Sequence, residues 1–125
     1  MLPIGIITKA IKVAKSSNYY PYKIGVVIFK ADRIISTGKN NIRSCRKLKD
    51  KYKVWKHSLH AEQDAIINAK RDLKNHSMLI VRINSNNTLF MAKPCDMCMG
   101  YIKFVGIKNI YYSDRQGQII KEKVE

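Results

Sequence analysis

The hydrophobic and polar positions of the chain alternate between a helical period and short apolar runs rich in β-branched residues. Apolar residues at helical spacing predict three helices, at about residues 3–15, 60–71 and 96–105. The apolar, β-branched runs predict five strands, at residues 24–29, 33–37, 78–83, 108–112 and 118–121. This order, α-β-β-α-β-α-β-β, predicts an α/β fold in which helices pack on a mixed sheet.

Turn-forming residues separate these elements. A tight turn at residues 31–32 joins the first two strands, and Gly38 is expected to end the second of them. Residues 88–91 are expected to run in extended form, and Gly106 is expected to stop the third helix. The turn at residues 114–117 is too short to hold a helix, so the last two strands are expected to form a C-terminal β-hairpin.

Length and composition describe one globular domain over residues 1–125. The chain is 46% hydrophobic and 26% charged, which is typical of a folded domain rather than a disordered segment. No apolar run approaches the ~18–20 residues of a transmembrane helix, and the N-terminus has no basic leader. We therefore expect a cytoplasmic protein with no membrane partner. Three cysteines cannot all pair within one chain, which argues against a disulfide framework.

The net charge of +15 is large for 125 residues, and part of it is concentrated. A high content of Lys, Ile and Asn is the signature of an AT-rich genome and accounts for diffuse basic charge. Residues Lys39–Lys56, however, hold eight basic side chains against Asp50 alone. This basic segment predicts a surface that faces an anion, either the phosphate of a nucleotide or the backbone of a nucleic acid.

Two motifs carry the candidate chemistry: His60-Ala61-Glu62 and Pro94-Cys95-Asp96-Met97-Cys98. Each lies where a predicted helix begins. One nitrogen and two thiolates, from His60, Cys95 and Cys98, are three ligands suited to tetrahedral zinc, and three ligands leave a fourth position for water. One Zn²⁺ per chain would provide a zinc-bound hydroxide as the nucleophile, and Glu62 would carry the proton.

A His-x-Glu motif combined with Pro-Cys-x-x-Cys is the signature of the zinc nucleobase deaminases. The chain resembles the cytidine deaminase-like superfamily from about residue 16 to residue 121. This resemblance implies an α-β-α sandwich, with helices on both faces of a five-stranded mixed sheet. It also implies that His60, Cys95 and Cys98 bind zinc, that Glu62 is the catalytic acid and base, and that homo-oligomers form through the helices.

The candidate substrate-binding residues come partly from the resemblance and partly from the chemistry of the residues themselves. Asn40 matches the asparagine with which the family contacts the sugar or the base edge, and its amide offers both a donor and an acceptor. The other candidates lie in the two motifs, in the basic segment or in the Tyr-rich stretch before the first strand. They are Ala61, Pro94, Lys39, Arg43 and Tyr20.

Several functions are compatible with these motifs. The first is hydrolytic conversion of cytosine to uracil in a nucleoside or nucleotide, of the deoxycytidylate or cytidine type. The alternative is deamination of cytosine or adenine within RNA or single-stranded DNA, with the basic segment along the backbone. A non-catalytic reading, structural zinc in a nucleic-acid-binding protein, is disfavoured because Glu62 is present and only three ligands are found.

Overall fold

The computed structural model describes residues 2–17, 23–40, 60–84, 86 and 88–124. These residues contain three helices and six strands. The helices are α1 (Ile4–Lys15), α2 (Ala61–Ala69) and α3 (Asp96–Phe104). The strands are β1 (Lys23–Lys30), β2 (Arg33–Lys39), β3 (Ser77–Ile83), β4 (Leu89–Phe90), β5 (Asn109–Ser113) and β6 (Ile119–Lys123).

The strands form one mixed sheet in the order β2-β1-β3-β5-β6. β1 is antiparallel to both β2 and β3, whereas β3 and β5 are parallel. β5 and β6 pair antiparallel across the turn at residues 114–117, which confirms the C-terminal hairpin. The sheet differs from the expected five strands by the two-residue β4, which pairs with the end of β3 in the region expected to be extended.

Helices cover both faces of the sheet, as the α-β-α arrangement requires. Alternate residues of β3 divide between the two faces: Met78 and Ile80 pack with α2 and α3, whereas Leu79 and Val81 pack with α1. Burial on both faces accounts for the continuous apolar run of this strand. None of the helices in the described part of the chain has the length and apolar character needed to cross a membrane.

Gly38 does not end β2, because the strand continues through Lys39. A Cβ at Gly38 would collide with backbone atoms of Ala61 and Ala65 in α2. The glycine therefore serves the close approach of α2 to the sheet rather than the end of the strand. This approach sets the start of α2 beside the end of β2.

Gly106 ends α3 as expected. It has a φ of +89°, a conformation that favours glycine. Its N–H donates to the carbonyl of Lys103, and the N–H of Ile107 donates to the carbonyl of Ile102. These two bonds form a Schellman motif, which satisfies the last carbonyls of the helix.

Candidate active site

The N-termini of α2 and α3 meet on one face of the sheet, and each carries one of the two motifs. His60 is the N-cap residue of α2, and Cys95 is the N-cap residue of α3. Cys98 lies in the first turn of α3 and is fully buried, whereas Cys95 is exposed. The unpaired N–H groups of a helix N-terminus favour negative charge, so both cysteines lie where thiolates are stabilised.

Three donor atoms from these residues converge. The Nδ1 atom of His60 lies 3.2 Å from the Sγ atom of Cys98 and 3.9 Å from the Sγ atom of Cys95. All three atoms lie within 4.8 Å of one another, so they could hold one metal ion. Within the part of the chain that the structure describes, no other such group of side chains is found.

The spacing of these atoms fits tetrahedral zinc. Ideal Zn–N and Zn–S bonds place a nitrogen and a sulfur ligand roughly 3.6 Å apart. The two nitrogen–sulfur distances at His60 lie on either side of this value. One imidazole and two thiolates are also the soft and borderline ligands that zinc prefers. A site with these three ligands has room for water or substrate in the fourth position.

Glu62 lies in the first turn of α2 and is buried, with 5% of its surface exposed. Burial raises the pKa of Glu62 to about 7, and hydrogen bonds from its backbone N–H and from the Cys98 side chain offset part of this rise. A carboxyl group with a pKa near neutrality can both accept and donate a proton at physiological pH. The contact with Cys98 places it beside the candidate metal ligands.

These residues line one cleft, together with side chains from the sheet and from the segment before α3. The lining residues are Ile24, Asn40, His60, Glu62, Arg82, Met91, Ala92, Lys93 and Cys95. The cleft therefore brings together two of the three candidate ligands, the buried carboxyl group and the amide of Asn40. It is a concave site of the kind that binds small molecules.

Asn40 follows β2 and is almost completely buried, with 3% of its surface exposed. Its Oδ1 atom accepts a hydrogen bond from the N–H of Ile24 at 2.9 Å and another from the Ser17 hydroxyl at 2.7 Å. These bonds fix the orientation of the amide.

Asp64 holds the end of β2 against α2. Its Oδ2 atom accepts a hydrogen bond from the N–H of Lys39 at 3.0 Å. Burial raises the pKa of Asp64, and its contacts with Lys39 oppose this rise. Because Asn40 follows Lys39 directly, this bond also helps to position the amide in the cleft.

The other predicted substrate-binding residues are not found in the described lining of the cleft. Lys39 does not belong to the cleft lining, and its Nζ atom donates to the Ser16 carbonyl at 3.3 Å. Ala61 is fully buried as the first residue of α2, and Pro94 is buried directly before Cys95. Tyr20 and Arg43 lie outside the described residues, as does the basic segment after Asn40.

Two cationic residues of the cleft, Arg82 and Lys93, were not among the sequence candidates. Arg82 is the only charged residue in the apolar run of β3, and this interruption is a signal that the sequence carries. Lys93 directly precedes the Pro-Cys motif, but in a chain with 24 basic residues one lysine gives no signal. Both were found only because the fold brings them to the cleft.

Comparison with known proteins identifies the family to which this site corresponds. Residues 5–114 match the model of the cytidine and deoxycytidylate deaminase zinc-binding region. No curated protein sequence matches the chain.

Solved structures with the same fold include three kinds of deaminase. The dCMP deaminase of cyanophage S-TIM5 in its apo form is 21% identical, with a TM-score of 0.68, over 92% of this chain and 86% of that one. The cytidine deaminase of Burkholderia pseudomallei is 16% identical, with a TM-score of 0.69, over 99% and 94% of the two chains. A tRNA:A34 deaminase is 23% identical, with a TM-score of 0.59, over 90% and 76%.

Proposed function

This chain belongs to the cytidine and deoxycytidylate deaminase family, and we propose that it converts cytosine to uracil in a nucleoside or nucleotide by hydrolytic deamination. The observation that carries the proposal is the convergence of the three donor atoms within 4.8 Å of one another, beside a buried carboxyl group in the same cleft. The cyanophage neighbour is a dCMP deaminase and the Burkholderia neighbour is a cytidine deaminase, and both support cytosine as the base.

In this proposal His60, Cys95 and Cys98 hold the zinc ion through Nδ1 and the two Sγ atoms. Zinc in such a site supplies Lewis acidity that makes a bound water acidic near neutral pH. Cys98 is buried and lies on the core side of the three ligands, whereas Cys95 is exposed and lies on the side of the cleft. A substrate in the cleft would therefore approach the three ligands from the side of Cys95.

Glu62 moves the protons. Its carboxylate accepts the two protons of the attacking water in turn, and delivers the first to the ring nitrogen N3 and the second to the departing amino group. The oxygen of water forms a bond to C4 of cytosine, the bond between C4 and the amino nitrogen breaks, and ammonia leaves. The pKa of about 7 suits both accepting and donating a proton, because the ionised and the neutral carboxyl group are close in free energy near neutral pH.

Asn40 orients the substrate. Asn40 lines the cleft, and its carbonyl oxygen accepts from Ile24 and Ser17, so in this proposal its NH₂ group is the donor to the substrate. A donor at this place suits a ribose hydroxyl or a pyrimidine carbonyl. Ala61 and Pro94 are buried neighbours of the metal ligands and would support the substrate site from behind.

The test is amino-to-oxo conversion measured by mass spectrometry. Zinc-loaded protein is incubated with cytidine, deoxycytidine, their monophosphates and triphosphates, adenine and guanine nucleosides, and short single-stranded RNA and DNA. Glu62→Gln serves as the blank, because glutamine keeps the shape of the side chain but cannot carry the proton. Conversion of a cytosine monomer by the wild-type protein alone is the expected result. Conversion of purines only, or of oligonucleotides only, would contradict the proposed substrate.

A further inference from the structure

The segment between β4 and α3 carries both a wall of the cleft and one of the candidate metal ligands. Met91, Ala92 and Lys93 line the cleft, and Cys95 belongs to the group of three donor residues. β4 is only two residues long, so the sheet pairing of this part of the chain ends at Phe90. The position of the wall and of Cys95 therefore depends on contacts beyond the strand.

Ser113 provides two of these contacts. It is the last residue of β5 and is completely buried. Its carbonyl oxygen accepts a hydrogen bond from the N–H of Ala92 at 2.9 Å, and its hydroxyl donates to the carbonyl of Phe90. One buried serine therefore holds the segment at two places that are two residues apart.

Few other polar contacts hold the segment. In the part of the chain that the structure describes, the bond from Ala92 to Ser113 is the only backbone hydrogen bond that joins residues 91–94 to another element. The side chain of Lys93 contacts the Glu122 carboxylate at 3.7 Å, but both side chains are exposed. An exposed ion pair of this kind contributes little to holding a chain in place. Ser113 is therefore the principal polar anchor of the segment.

The place of Ser113 in the sheet accounts for its polar side chain. β5 pairs with β3 only as far as the register pair of Ile80 and Tyr112. At the next position the Ser113 hydroxyl oxygen accepts from the backbone N–H of Arg82 in β3 at 3.4 Å, while its proton goes to Phe90 in β4. The hydroxyl thus bridges two strands where the ladder between β3 and β5 stops. An apolar side chain there could make neither bond.

We propose that Ser113 is a positioning residue for the active site, which it acts on through the segment of residues 91–95. This inference rests on the proposed function and adds a residue outside the described cleft lining to the same site. Ser113 fixes the segment so that Cys95 reaches the metal together with His60 and Cys98. Loss of the hydroxyl would leave the Phe90 carbonyl without its donor and would let the segment shift.

The test measures zinc affinity by competition with a chelator in the wild-type protein, Ser113→Ala and Ser36→Ala. Ser36 is the matched control, because it is also buried and its hydroxyl donates to the Ala65 carbonyl at 2.7 Å, away from the segment. Ser113→Ala should raise the dissociation constant of zinc by about 10-fold, the lower end of the range for residues that act through metal ligands. Ser36→Ala should keep the wild-type value, although urea unfolding should show both zinc-free variants to be less stable than the wild-type protein.

Two further readouts separate positioning from stability. The visible spectrum of Co²⁺ bound in place of zinc reports the geometry of the ligands without turnover. Ser113→Ala should change this spectrum, and Ser36→Ala should match the wild-type protein. At saturating zinc, Ser113→Ala should raise KM by a larger factor than it lowers kcat, because the wall of the cleft shifts while His60 and Glu62 stay in place at the start of α2.

The outcomes distinguish this inference from the proposed function. If Ser113→Ala matches the wild-type protein in zinc affinity and cobalt spectrum, or if Ser36→Ala shows the same losses, Ser113 has a structural role only and the inference is overturned. Deamination by the wild-type protein in that case leaves the proposed function standing. If the wild-type protein deaminates nothing but Ser113→Ala alone weakens zinc binding and changes the cobalt spectrum, Ser113 still positions the metal site and the proposed function fails.

Discussion

The Nδ1 atom of His60 lies 3.2 Å from the Sγ atom of Cys98, although 38 positions of sequence separate the two residues. The contact exists because α2 and α3 present their N-termini to each other on one face of the sheet. It predicts that the metal site depends on each of its ligands. Cys98→Ala should lower the zinc content from about one ion per chain to near zero, because two ligands give too weak a site.

Metal analysis of the purified proteins by mass spectrometry checks this prediction. Cys45→Ala is the matched control, because it removes the third cysteine of the chain, which belongs to neither motif. Retention of zinc by Cys98→Ala, or its loss from Cys45→Ala, would show that the ion is bound elsewhere.

Glu62→Gln separates zinc binding from proton transfer. The substitution leaves the three donor atoms in place, so the zinc content and the fold should be preserved. Turnover should fall by roughly 100- to 10,000-fold, the usual contribution of a general acid or base. Zinc analysis and a deamination assay on the same preparation check both parts. A variant that binds zinc and keeps full activity would remove Glu62 from the mechanism.

The raised pKa of Glu62 predicts how the stability of the zinc-free protein depends on pH. Below pH 4.5 the carboxyl group is protonated in the folded and unfolded states alike. As the pH rises from 4.5 to about 7 the unfolded chain releases this proton while the folded protein retains it, so the free energy of unfolding falls. The loss from Glu62 is on the order of 3 kcal/mol and ends once the folded group is also ionised.

Urea unfolding of the chelator-treated protein at several pH values measures this loss. The wild-type protein should lose stability over this range, and Glu62→Gln should lose less. The residual slope in Glu62→Gln should come partly from Asp64, whose pKa burial also raises. Parallel curves for the two proteins would mean that Glu62 is not held in its protonated form by the fold.

Gly38 is predicted to be intolerant of a side chain because α2 lies against it. Gly38→Ala would force a methyl group into the backbone of α2 at Ala61 and Ala65, and we expect a loss of at least 1–3 kcal/mol in the free energy of unfolding. Because α2 begins beside His60, the zinc content should fall as well.

Gly100→Ala is the control for this substitution. Nothing lies within 4 Å of a Cβ at Gly100, which is exposed in the middle of α3. Alanine there should raise the free energy of unfolding by about 0.5–1 kcal/mol, because it favours the helix. Chemical denaturation of both variants provides the comparison. Equal effects of the two substitutions would show that the approach of α2 does not depend on Gly38.

Much of the fold is predictable from local pattern, because periodicity and turn residues determine each element separately. The strand around Met78–Ile83 is buried on both faces and gives a continuous apolar run, and Gly106 has a left-handed conformation. Two features are not local. β4 is only two residues long, and the role of Gly38 depends on a helix that follows more than twenty positions later.

The candidate site also has some residues that the local sequence predicts and others that only the fold brings together. The candidate metal ligands and Glu62 are recognisable because the two motifs together match the signature of the zinc nucleobase deaminases. The resemblance predicts Asn40, but the bonds of Asn40 to Ile24 and Ser17 depend on how β1, β2 and the end of α1 meet. Arg82 enters the cleft through strand register, which sequence spacing alone does not determine.

The most direct measurement of the central claim is the fate of water oxygen during turnover of CMP. Zinc-loaded wild-type protein and Glu62→Gln are incubated with CMP in water enriched in heavy oxygen, and the mass of the product and the release of ammonia are followed. The account predicts UMP that carries one heavy oxygen, with one ammonia per UMP, from the wild-type protein only. Absence of any deaminated product at full zinc occupancy from CMP, dCMP, cytidine and deoxycytidine alike, or equal conversion by Glu62→Gln, would contradict it.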